Sequence, residues 1–247
     1  MSTDSAAAVP ARSRPTAVMV LGVLGLLTFA LIPIQINTIY DGLPAHPLFL
    51  HVPVILIPVA AIAALVLAVR PAVFERHGVW ITAVTVVALA ATNLTIGAGK
   101  ALRTDLFGGV RGLAQVAAGE AALVARHEHA ADILRLLMIL FCATMIVSLA
   151  LWRARDGATV TGIGFVDGPL ARLRAAMPAL WPARIALVVL ALACLYFVFH
   201  TGDLGAKAVW QGRVGGTRLP ALGFGGRGGL GGSLFPPGVH PPGAPKG

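Results

Sequence analysis

The chain has 247 residues, of which 57% are hydrophobic and only 12% charged, and its mean hydropathy is +0.84. A soluble domain carries roughly a quarter charged residues, so this sequence lacks the polar surface to face water on all sides. The formal charge of +9 would suit nucleic acid only with a basic face carrying groove-reading or stacking residues. Here the arginines lie between apolar segments, and nucleic acid is set aside as a partner.

In chain order, five segments approach the roughly 20 apolar residues that a helix needs to cross a hydrocarbon core. They are residues 16–34, 49–69, 79–96, 133–152 and 183–199. None carries an acidic or lysine side chain in its middle, and Arg135 and Arg184 lie at ends, where a long cationic side chain can snorkel to the interface. The expected fold is all-α, a polytopic membrane bundle of about five transmembrane helices with the lipid bilayer as its surroundings. The first segment follows Arg12 and Arg14. It is long for a signal peptide, and Ile34-Gln35-Ile36-Asn37 after it offers no small-residue cleavage pattern, so it reads as a retained helix.

This divides the chain into a flexible N-terminus at 1–15, an additional transmembrane helix at 16–36, a four-helix membrane domain at 46–212 and a tail at 213–247. The tail holds Gly-Gly pairs, Pro236-Pro237 and Pro241-Pro242, a composition that cannot offset its ordering entropy and predicts disorder. Orientation follows from Lys and Arg in the short connections. Residues 35–47 have none, whereas Arg12, Arg14, Arg70, Arg76, Arg153, Arg155, Arg172 and Arg174 fall on the other side. The N-terminus is therefore expected in the cytoplasm and the C-terminus outside. Abundant alanine and glycine with scarce lysine suit a bacterial cytoplasmic (inner) membrane. The connection 97–132 is alanine-rich, with Leu113, Val116, Leu123 and Val124 at roughly helical spacing. It reads either as a surface helix or as an extension of the fourth crossing.

Given this topology, most special residues collect at the outer end. The second crossing opens His46-Pro47-Leu48-Phe49-Leu50-His51-Val52-Pro53, with Pro47 suited to a first helical turn and Pro53 and Pro58 each removing a backbone hydrogen bond. The third ends Asn93-Leu94-Thr95-Ile96-Gly97-Ala98-Gly99-Lys100. The fourth follows His127-Glu128-His129-Ala130-Ala131-Asp132, and the fifth ends Phe199-His200-Thr201-Gly202-Asp203-Leu204-Gly205. His77 alone belongs to the cytoplasmic side, and His240 lies in the tail.

These stretches resemble the bacterial membrane proteins gathered under domain of unknown function 2231. The resemblance rests on HPLFLHVP, the small-residue ending of the next crossing, the His-Glu-rich stretch and the final TGDLGAKAVW. It covers roughly residues 46–211, four of the five crossings. It implies a four-helix membrane module that recurs beside redox domains such as iron–sulfur proteins. Two departures stand out: Gln211-Gly212-Arg213 and Asp203 occupy places where relatives often have histidine, so a site built from those histidines is expected to be altered or lost here.

Imidazole is the commonest metal ligand near neutral pH, and helical bundles hold cofactors between facing helices. His51, His129 and His200 come from three helices at one depth and are the candidate ligands of haem b or a divalent metal. His46, Glu128 and Asp132 are candidates to orient them. His127 and His129 are two positions apart, so on a helix they point to nearly opposite sides and only one can face the bundle. The plainer alternative is that these histidines finish helix ends by bonding carbonyls. No phosphate loop, GxSxG elbow, HExxH motif or CxxCH haem attachment is present, so no catalytic activity of the chain's own is expected. Cys142 and Cys194, each inside an apolar run, read as small hydrophobes. A small-solute transporter fits less well, since no ionisable residue stands near a midplane. The function expected is that of a redox-accessory subunit facing an external electron-transfer protein or another membrane subunit. The alternative is a structural or assembly protein without cofactor.

Overall fold

The computed structural model describes residues 17–39, 42–107, 118–154, 160–176 and 180–210. The expected N-terminal arm at 1–15 and the tail at 213–247 lie outside them. Among the described residues six α-helices follow one another: α1 Ala17–Leu27, continued by a 3-10 turn at Thr28–Leu31; α2 Ala45–Val69; α3 Pro71–Phe107; α4 Ala118–Arg153; α5 Gly164–Ala176; and α6 Trp181–Trp210. Four of them, α2, α3, α4 and α6, are long and apolar enough to cross a membrane. The chain is an all-α, multi-pass membrane bundle, as its composition requires.

What makes it a membrane bundle is apolar surface on both sides of each helix. On α2, Val52, Ile55, Val59, Ile62 and Val66 are exposed at alternating spacings of three and four. Ile57, Ala60, Ala61, Ala64 and Leu67 are buried on the opposite face. On α6, Ile185, Val189, Leu192, Tyr196 and Phe199 repeat the pattern outward, and Leu187, Ala191, Cys194 and Val198 repeat it inward. A helix that is apolar all round belongs either in a large core or in lipid, and the small inward residues let these backbones approach closely. Cys142 and Cys194 are both buried within the core cluster.

The threonines of α3 form a buried polar stripe that closes on itself. The hydroxyls of Thr82, Thr85, Thr92 and Thr95 donate to the carbonyls of Gly78, Ile81, Ala88 and Ala91, each four residues back. Each donor is thereby satisfied on its own helix.

Among the four long helices, neighbours run antiparallel, as fixed contacts demand. Arg103 of α3 meets Glu128 of α4 at 2.6 Å and Lys100 meets Asp132 at 3.8 Å, so the end of α3 lies beside the start of α4. Residues 118–132 extend the fourth crossing, and α3 likewise continues past Ile96 to Phe107. At the opposite end Arg184 donates from Nε to the Ala68 carbonyl at 2.7 Å and holds the last turn of α2. The first segment is shorter than the others. α1 and its 3-10 turn span 15 residues, about 25 Å at helical rises. Asn93 Nδ2 donates to the Thr28 carbonyl at 2.9 Å, and a Cβ on Gly97 would overlap the Ile34 carbonyl oxygen. The segment therefore finishes level with the last turns of the third apolar stretch.

Candidate functional site: a histidine pair between two helix pairs

The first turn of α2 and the fourth crossing each bring one imidazole inward. His46 lies in the first turn of α2, one residue inside the helix. Its Nδ1 is 2.9 Å from the carbonyl oxygen of Thr95 on α3. His127 on α4 repeats the arrangement, with Nδ1 2.9 Å from the carbonyl of Thr201 on α6. A carbonyl oxygen can only accept, so Nδ1 carries the proton in both rings and Nε2 keeps its lone pair. Among the described residues, neither Nε2 has a hydrogen-bond partner.

Glycine makes room for each ring. Four residues after Thr95, a Cβ on Gly99 would stand 3.0 Å from His46 Nδ1; four residues after Thr201, a Cβ on Gly205 would stand 3.0 Å from His127 Cε1. The two antiparallel pairs, α2 with α3 and α4 with α6, thus carry the same device of histidine, threonine carbonyl and glycine. The pairs meet at the rings. His46 and His127 have centroids 6.4 Å apart and planes at 83°.

The two rings are the groups that would hold a metal ion: with each Nδ1–H on a carbonyl, a neutral imidazole has Nε2 as its remaining donor atom. The donor set also fits, because a ligating histidine almost always donates its other N–H to a carbonyl or carboxylate, and imidazole suits iron, copper, nickel and zinc. Beside the pair, Thr201 Oγ1 is buried without a partner. Buried hydroxyls in folded proteins are nearly always bonded.

The sequence-expected ligands sit elsewhere. His51 is exposed, with Nδ1 2.7 Å from the carbonyl of Pro47 on its own helix. His129 and His200 share an open groove between α4 and α6, and His200 stacks on Tyr196 at 5.6 Å and 10°. Among the described residues no three His, Cys, Asp or Glu side chains group as metal ligands. Glu128 and Asp132, expected behind an imidazole, pair with cations instead: Glu128 with Arg103, and Asp132 with Arg135 at 2.7 Å as well as with Lys100. Of the expected set, His46 alone enters the inner pair. His127 is the partner that sequence reasoning left unassigned. The signal that would have found it is the repeated Thr-x-x-x-Gly at Thr95–Gly99 and Thr201–Gly205, one glycine-made hole for each ring. Comparison with protein-family models, with curated proteins and with solved structures finds no match for this chain.

Proposed function

We propose that this membrane protein is a redox-accessory subunit that holds one transition metal between His46 and His127, either as haem b iron or as a bare ion. The observation that carries the reading is the pair itself: two rings 6.4 Å apart at 83°, each with its Nδ1–H committed to a carbonyl of the neighbouring helix. Haem iron or copper, if bound, would supply one-electron chemistry there. The chain's own residues fix the tautomer through the Thr95 and Thr201 carbonyls, and they seat both rings half-buried between helices. The motifs HPLFLHVP and TGDLGAKAVW support membership of the family of domain of unknown function 2231, whose members recur beside redox proteins. The short-loop arginines support the His46 end facing outward from a bacterial cytoplasmic membrane, toward an external electron-transfer protein.

A structural reading has its own observation: each histidine ties one helix pair together without needing the other. Spectra separate the two. The full chain is produced with haem precursor and with iron, copper and zinc supplied, and reduced-minus-oxidised spectra are recorded for the wild type and for His46→Ala, His127→Ala and His51→Ala. The redox reading expects a haem or metal signature in the wild type and in His51→Ala, lost in the other two. A spectrally silent, metal-free wild type would leave the pair as a helix clamp.

A further inference from the structure

We propose that the groove between α4 and α6 is a binding site for the headgroup of an anionic phospholipid, separate from the histidine pair. The open groove offers about 350 Å³. It is lined by Arg126, His129 and Ile133 of α4 and by Phe197, His200 and Leu204 of α6, with two alanines between. No carboxylate lines it, and among the described residues Arg126 makes no ion pair.

The order of these side chains matches the order of parts in a lipid. α4 enters the bundle as α6 leaves it, so the groove runs from Arg126 and Leu204, through His129 and His200, down to Ile133 and Phe197. A guanidinium therefore stands at the polar end, two imidazoles at the middle, and apolar side chains toward the hydrocarbon. A guanidinium recognises phosphate oxygens through paired N–H donors, and basic pockets between membrane helices hold anionic headgroups. His200 is held in place for this by the parallel Tyr196 ring and by Phe197, edge-on at 6.2 Å. Below the groove, exposed Leu136 and Leu140 continue the Arg126, His129, Ile133 stripe of α4 at spacings of three and four and offer acyl chains an apolar track. A neutral amphiphile would leave Arg126 without a counter-charge, and a soluble anion would leave that track unused.

The test is lipid retention by the full chain, equilibrated with vesicles of equal phosphatidylglycerol and phosphatidylcholine, then extracted into mild detergent and weighed by native mass spectrometry. One phosphatidylglycerol per chain should be retained about 5-fold over phosphatidylcholine. Arg126→Gln and His200→Ala should bring retention to parity, while His51→Ala, on another helix at the same end, keeps the preference. Melting temperatures in detergent confirm that the variants are folded. Arg126 is exposed, so Arg126→Gln keeps the test usable should His200→Ala misfold. Equal retention of both lipids, or an unchanged Arg126→Gln, overturns the site. Displacement of the bound lipid by millimolar inorganic phosphate would assign the groove to a free anion and overturn the lipid. Metal content at the histidine pair should be the same in Arg126→Gln and wild type, so this proposal and the redox reading fail independently.

Discussion

At the scale of single residues, the two inward histidines do two jobs that substitution can separate. Removing the His46 ring takes away its bond to the Thr95 carbonyl, which keeps its own partner within α3, at a cost of about 0.5–1.5 kcal/mol. His46→Ala should therefore melt lower in detergent whether or not metal is present. Gly99→Ala acts on the ring and spares the carbonyl bond's helix. Its new Cβ would stand 3.0 Å from Nδ1, and the imidazole must shift by a few tenths of an ångström. Gly99→Ala and Gly205→Ala should each weaken metal retention roughly 10-fold or more, as displaced ligand geometry does, with little change in helicity by circular dichroism. The histidine–proline opening was legible in the sequence because proline at a helix start has a known backbone reason. The choice between His127 and His129 was not legible. Two adjacent alternate positions on a helix face opposite sides, and only the packing of α4 against α6 decides which side is inward.

At the scale of elements, hydropathy located the apolar middle of every long helix but not its ends. α3 continues about three turns past its apolar stretch and α4 begins about four turns before its own, because paired charges, such as Arg103 with Glu128, let polar helix persist outside the hydrocarbon. A hydropathy window cannot see that pairing. Close approach is the other element-level determinant. Gly97 has the Ile34 carbonyl where a Cβ would go, whereas Gly202 has nothing within 4 Å. Gly97→Ala should destabilise by about 1–3 kcal/mol through overpacking, and Gly202→Ala should be neutral or stabilise by up to about 1 kcal/mol through helix propensity. Opposite shifts in melting temperature would be the signature.

Helix α5 is anchored differently, by one carboxylate. Asp167 accepts from the backbone N–H groups of Val160, Thr161 and Gly162 and from the Thr161 hydroxyl, and Gly162 supplies the left-handed turn at φ +74°. The N–H of Thr161, with the other donors, holds the Asp167 carboxyl below its ordinary range. A lowered folded-state value stabilises the ionised form. This loop should be secure above the ordinary aspartate range and should loosen as pH falls through the lower folded value. Hydrogen exchange at Thr161 and Gly162 should rise on acidification and be fast at neutral pH in Asp167→Asn.

At the scale of the whole molecule, two antiparallel helix pairs meet through their histidines, and the crossings set which compartment they face. Reporter fusions after Arg76 and after Ala206 should read opposite sides, with Arg76 cytoplasmic; both on one side would reverse or remove a crossing. The bundle and its apolar character followed from composition, since no other arrangement buries so many hydrophobic residues with so few charges. The pairing of His46 with His127 did not, because it joins helices 81 positions apart through a backbone carbonyl on each partner. The central claim is most directly tested by metal stoichiometry. Elemental analysis of chain purified from cells supplied with haem precursor and transition metals should give one metal per chain in wild type and His51→Ala, and none in His46→Ala or His127→Ala. Equal metal content in all four proteins, or none in any, would contradict it.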